Sequence, residues 1–156
     1  MKTHRIEFCD FKNPTHVAAL GNLLNHYMGD PMGDHPSHNK EQQLQLVNGL
    51  ATFPTALVLF LYVDNQAVGM VVCFELFSTF HVKPYLYIHD VIIHKDFRGK
   101  GLGSILLEEV VLYSTDKKYC KITLEVRADN HAAQRLYQSL GFAECEPIMH
   151  FWTKLL

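Results

Sequence analysis

A glycine-rich turn between an apolar strand and an amphipathic helix constrains this chain more than any other feature. Tyr85 to Ile93 is an apolar run with strand character, and Leu102, Ile105, Leu106, Val110 and Val111 recur at helical spacing. Between them lies Arg98-Gly99-Lys100-Gly101-Leu102-Gly103. Glycine at every second position removes side chains from the turn. Its backbone N–H groups can then converge on an anion, to which the helix N-terminus adds partial positive charge. Such a unit suits a phosphate or pyrophosphate. A P-loop does not fit, because Lys100 is followed by Gly101 and not by Ser or Thr; a dinucleotide fingerprint does not fit either, because the sixth residue from Gly99 is Ser104. Taken alone, the stretch also suits a glycine turn that holds no ligand.

The rest of the chain reads as alternating short elements. Arg5 to Phe8 alternates as a strand. Asn13 and Pro14 open a helix whose buried stripe is Val17, Leu20, Leu23, Leu24 and Tyr27. A turn-rich loop, Gly29 to His38, precedes a helix at about Lys40 to Leu50. Thr55 to Val63 and Ala67 to Phe77 form a hairpin about Asp64-Asn65. After the glycine turn, the helix runs to about Thr115. A strand at Ile122 to Val126, a helix at about Asn130 to Leu140 and a final strand region at Ala143 to Leu155 complete the order βααβββαβαβ. This is α+β in type.

Composition excludes several classes. The 156 residues carry a net charge of -2 and 19% charged residues, which gives no nucleic-acid surface. Thr55 to Val63 is too short for a membrane span. The N-terminal residues lead into a strand pattern, not a signal-peptide apolar region. Cys9, Cys73, Cys120 and Cys145 form no Cys-x-x-Cys pair and read as reduced thiols, so a cytoplasmic location is expected. The ten histidines show no ligand spacing with Cys or acidic partners, so no metal is expected.

Two spaced motifs then carry a resemblance. Arg-x-x-Gly-x-Gly falls on Arg98, Gly101 and Gly103; Asn-x-x-Ala-x-x-x-Tyr-x-x-x-Gly-Phe falls on Asn130, Ala133, Tyr137, Gly141 and Phe142. In this order, each behind a strand, they resemble the GCN5-related N-acetyltransferase (GNAT) family. The resemblance runs from Val58 to Phe142 and is weak before it. It implies one N-acetyltransferase domain over residues 1–156, with a mixed, mostly antiparallel sheet and helices on both faces. It also implies a fourth and a fifth strand that splay apart to admit the pantetheine arm of acetyl-CoA, the cosubstrate.

By motif position, the resemblance assigns the backbone of Val91, Ile92 and Ile93 to the acetyl and pantetheine groups. One N–H there would polarise the thioester carbonyl. Gly99, Lys100, Gly101, Leu102, Gly103 and Ser104 would cradle the pyrophosphate, with Arg98 beside it. Lys100 would reach the adenosine phosphate or remain a solvated charge. Asn130, Ala133 and Tyr137 belong to the cofactor helix, and Tyr137 is the candidate general acid for the departing thiolate. Leu86-Tyr87-Ile88-His89-Asp90 and Phe77-Ser78-Thr79-Phe80 are similar to segments of the diamine and polyamine acetyltransferases, with His89 in the place of a catalytic glutamate. His89 is the candidate base, and its titration predicts a basic limb at about pH 6 to 7. Asp90 and Glu75 stand in reserve, and a hydrogen-bonded structural role is the alternative for all three.

The function implied is acetyl transfer to a primary amine of a small molecule, directly within a ternary complex. A protein or peptide amine, or a non-catalytic acyl-CoA-binding sensor, is the alternative. The first helix and the Gly29 to His38 loop are expected to shape the acceptor pocket. The apolar end, His150 to Leu156, and the family habit of pairing through terminal strands predict a homodimer.

Overall fold

The computed structural model describes residues 3–156. Two compact units divide the chain, one up to Glu125 and one over Val126–Leu156.

The first unit holds a five-stranded sheet: β1 (His4–Phe8), β2 (Ala56–Val63), β3 (Gln66–Ser78), β4 (Lys83–Ile93) and β5 (Ile122–Leu124), in that spatial order. All pairs are antiparallel except β4 with β5, which is parallel. Asp64 and Asn65 close the β2–β3 hairpin with φ of 47° and 66°. Two left-handed residues are what a two-residue turn needs to match the twist of its strands.

Three helices of eight or more residues belong to this unit: α1 (Pro14–Met28), α2 (Lys40–Thr52) and α3 (Leu102–Asp116). Asn13 caps α1 by accepting the Thr15 N–H at 2.9 Å, with Pro14 at the first position. Asn39 and Gln42 cap α2 reciprocally. On one face of the sheet, Leu20 and Leu23 of α1 and Val47 of α2 pack on Val58, Phe60, Tyr62, Met70, Val72 and Ile92. The alternate strand residues Leu59, Leu61, Val71 and Cys73 point the other way. They are buried on the side of α3, whose Leu102, Leu106, Leu107 and Val110 are buried as well.

Gly69 in β3 sits in close packing: a Cβ there would lie 2.7 Å from Ile93 Cδ1, so that side chain would have to move.

The second unit contains α4 (His131–Ser139). The expected final strand at Ala143 to Leu155 does not form: among the described residues, none from 141 to 156 lies in a strand. The apolar residues there suggested a strand, but a ladder also needs partner backbone, and Pro147 has no N–H to give. The Ile122 to Val126 strand likewise stops at Leu124, where its pairing with β4 stops.

Candidate active site

The β4–α3 connection begins with a single turn of 3₁₀ helix at Lys95–Phe97. Gly99 and Gly101 follow with φ of 72° and 75°, the left-handed region that favours glycine. Gly101 is the residue that caps α3, and no side chain satisfies the helix end. The first intrahelical bond is Ile105 N–H to Gly101 O at 3.2 Å. The N–H groups of Leu102, Gly103 and Ser104 therefore precede the helical ladder and face out of its end. A Cβ at Gly99 or Gly101 would meet nothing within 4 Å, so the approach is open. Uncapped donors, a helix dipole and free space fit a pyrophosphate.

The two cations of the turn are already engaged. Lys100 folds back, its Nζ donating to Asp96 O at 2.6 Å and lying 5.1 Å from the Phe97 ring centre. Arg98 Nε donates to Ile93 O at 2.9 Å, and Nη1 donates to Asp30 Oδ2 at 2.7 Å.

The middle of β4 is irregular. Val72 pairs with Asp90 while the next residue, Cys73, pairs with Ile88, so His89 is the extra residue of a β-bulge. On the other edge, pairing with β5 runs only from Leu86/Ile122 to Ile88/Leu124. Among the described residues, His89 to Ile93 has no strand on that side, which is the expected splay. Val91, Ile92 and Ile93 line this open edge, although the Ile93 carbonyl is held by Arg98.

His89 and Asp90 meet at the bulge, Nδ1 to Oδ2 at 3.1 Å, with side-chain exposures of 54% and 22%. The ring of His89 lies 5.8 Å from Phe74 and 5.9 Å from Tyr87. Its pKa is raised above the ordinary histidine value, chiefly by the hydrogen bond to Asp90 and against the effect of burial. Tyr87 donates to Glu125 Oε1 at 3.1 Å, and burial first, then that carboxylate, push its pKa up to about 12. The Asp90 and Glu125 carboxylates can attract a cation, and a neutral imidazole beside them can take a proton.

Glu75 sits elsewhere. It pairs with Leu86, on the α3 face, and accepts a short hydrogen bond from Tyr119 Oη. Asp90 pairs with Val72, on the α1 face. The sheet therefore lies between Glu75 and the Asp90 carboxylate, and Glu75 is not brought to the His89 site. Strand alternation alone did not reveal this, because the bulge lies between the two.

In the second unit, Asn130 Oδ1 caps α4 by accepting the Ala133 N–H at 3.2 Å. Tyr137 is half-buried, with Phe142 at 6.0 Å between ring centres. Gly141 (φ 86°) ends the helix, with Gly141 N–H to Gln138 O at 3.1 Å and Phe142 N–H to Tyr137 O at 3.0 Å. This is a Schellman ending, with its accompanying apolar contact. Asn130 and Ala133 thus have a local structural task that the motif by itself did not disclose.

The model of the acetyltransferase (GNAT) family matches residues 20–142. The chain belongs to this family. An uncharacterized N-acetyltransferase of Methanocaldococcus jannaschii is 28% identical to this GNAT chain over 95 residues, 60% of the chain and 42% of the relative. An aminoglycoside N(6')-acetyltransferase type 1 of Acinetobacter haemolyticus is 23% identical over 122 residues, 76% of the chain and 84% of the relative. The chain spans about half the length of the archaeal relatives it matches, 42% and 53%. Among solved structures, an aminoglycoside N-acetyltransferase in complex with CoA superposes with a TM-score of 0.76 at 17% identity, covering 99% of this chain and 97% of the other. At that identity the likeness concerns the fold, and it bears out the GNAT-type α+β sheet.

Sequence reasoning missed His26 and Asp30, which reach the glycine turn from α1 and its following loop. Lys95 N–H donates to His26 Nε2 at 3.0 Å, and the His26 and His94 rings stack at 4.1 Å. No local signal marks a tie between residues 68 or 69 positions apart.

Proposed function

We propose that this chain transfers an acetyl group from acetyl-CoA to a primary amine of a small molecule, in a ternary complex. The observation that carries the reading is the pairing of two features on β4 and the turn that follows it. One is an uncapped, glycine-lined helix end open to an anion; the other is the His89–Asp90 pair at a bulge beside an unpaired strand edge. That aminoglycoside N-acetyltransferases are among the relatives supports a small amine acceptor.

Acetyl-CoA supplies an acyl group activated as a thioester. The N–H groups of Leu102, Gly103 and Ser104 hold its pyrophosphate, and the open edge from Val91 to Ile93 orients its arm. An amine reaches the site as an ammonium ion, with a pKa near that of lysine, about 10.4. His89 removes its proton. With Nδ1–H donating to Asp90, Nε2 keeps the lone pair that accepts it, and the carboxylate stabilises the imidazolium that forms. Asp90 is the positioning group and the alternative base. Tyr137, assigned by its motif, donates the proton that the departing thiolate requires.

The test is an acetyl-transfer screen over small amines, amino acids, aminoglycosides and peptides, read by release of CoA thiol. Turnover on small amines is the expected result. CoA binding without turnover on any acceptor would instead make the chain a non-catalytic sensor, and turnover on peptides alone would make it a protein acetyltransferase.

A further inference from the structure

We propose that His26 and Asp30 form a two-point clasp that couples the glycine turn to the loop over residues 29–38, so that binding of CoA at the turn rigidifies the loop. The inference rests on the reading of the turn as the CoA site.

The first point is the Arg98–Asp30 pair. Asp30 is a hub: Oδ2 accepts from Arg98 Nη1 at 2.7 Å, and Oδ1 accepts the Met32 N–H at 3.0 Å. Its carbonyl accepts the N–H groups of Gly33 and Asp34 at 2.9 and 3.0 Å. The first half of the loop is therefore built around this residue, while His35 N–H to Met28 O and the reciprocal Asn25–His38 bonds hold the rest. The Asp30 pKa is lowered, by the Met32 N–H first and then by Arg98, so the carboxylate is charged when it holds the clasp.

The second point is His26. Its Nε2 accepts the backbone N–H of Lys95, which ties the last turn of α1 to the start of the 3₁₀ turn. That bond requires the neutral ring. Burial, then His94, Arg98 and Lys95, lower the His26 pKa and favour this form against the opposing pull of Asp30. The residue that carries the stacked His94 ring is fixed in turn by its backbone N–H, which donates to Val68 O at 2.8 Å. The 3₁₀ turn is thus held at its start by the last turn of α1, through His26, and just past its end by the loop that follows that helix, through Asp30.

Arg98 is what makes the clasp responsive to a ligand. Its side chain is 44% exposed, and two of its N–H donors are used in the contacts above. A guanidinium has five donors, so three remain for an anion at the turn. Asp30 is held in the loop with a side chain 14% exposed, and the more exposed Arg98 is the partner with freedom to move. A pyrophosphate on the turn fixes the guanidinium, and Asp30 with the backbone it organises becomes ordered as well. Pro31, Asp34, His35 and Pro36 line a shallow recess in this loop, so the ordering falls on that surface. Coupling is reciprocal, so a ligand of the loop would tighten CoA to the same degree.

Hydrogen exchange on the intact chain, with and without saturating CoA, tests this. In the wild type, peptides over residues 99–106 and over 27–38 should both slow, the latter by at least about fivefold, the lower end of typical coupling. In Asp30→Asn, protection at 99–106 should persist while the CoA-dependent slowing at 27–38 is lost. His26→Phe, which keeps a ring but has no acceptor for the Lys95 N–H, should give the same result, and it carries the comparison if Asp30→Asn fails to fold. A merely structural role would speed exchange at 27–38 equally with and without CoA, and that result overturns the coupling. Protection confined to 99–106 in the wild type also overturns it. If calorimetry shows no CoA binding to the wild type, the CoA-site reading falls and the coupling with it, whereas binding with an unresponsive loop removes the coupling alone.

Discussion

His89 feels two influences that move its proton affinity in opposite directions, and the hydrogen bond it donates to Asp90 outweighs burial. A base strengthened in this way titrates above the ordinary histidine value. The kcat/KM profile for an amine should rise with pH through a basic limb above about 6.5. Asp90→Asn removes the leading cause of the shift, so the limb should move down in pH. His89→Ala should abolish the limb and lower turnover by about 10²–10⁴-fold, with CoA affinity near normal by calorimetry. A limb kept at the same pH in His89→Ala would assign the proton to another group. For stability the sign is reversed from that of a carboxylate: a raised folded pKa means that the His89–Asp90 contribution is present below the unfolded pKa and fades as pH rises through the folded one. With His89 more than half exposed, that contribution is small. Tyr137→Phe belongs at this scale too. It should reduce turnover well beyond any effect on CoA affinity, and single-turnover rates would show it; rates within about twofold of wild type would leave Tyr137 a packing role.

At the scale of elements, two stretches that look alike as motifs differ in what they specify. The glycine turn leaves its helix end unsatisfied, and its left-handed residues have open space around them. Gly101→Val places a β-branched residue at φ of 75° and fills the approach to the donors. CoA affinity should fall at least about tenfold by calorimetry while circular dichroism shows the fold retained. The motif on α4 is, by contrast, largely a set of instructions for one helix: Asn130 begins it, Gly141 ends it, and Phe142 packs on Tyr137. Asn130→Ala should cost about 1 kcal/mol in thermal or urea denaturation. Such devices act within a few residues, and this is why the helices, the hairpin turn and the glycine turn were legible in the sequence. What was not legible depends on distant backbone. The bulge at His89 exists only through register with β3, Glu75 was misplaced for the same reason, and the clasp from His26 and Asp30 closes across a helix and three strands. The expected terminal strand fails on a related ground: alternation describes a strand but does not supply its neighbour.

For the whole molecule, the open question is what covers the apolar end. Ile148, Met149, Phe151, Trp152 and Leu155 are 70–90% exposed. Apolar burial contributes about 25 cal/mol per Å², so several such side chains favour association. A homodimer is the expected state by light scattering at micromolar concentration, and truncation after Pro147 should shift it to monomer. A wild-type monomer at that concentration would refute the pairing. Within the sheet, the bulge has a consequence for how the chain tolerates change. Ile88 and Ile92 are both even-numbered, yet Ile88 faces α3 and Ile92 faces α1, because the extra residue at position 89 reverses the parity of β4. Losing His89 would therefore leave a regular ladder: Ile88 and Asp90 would become neighbours and each would keep its face, so the strand could shed this residue without turning its core outward.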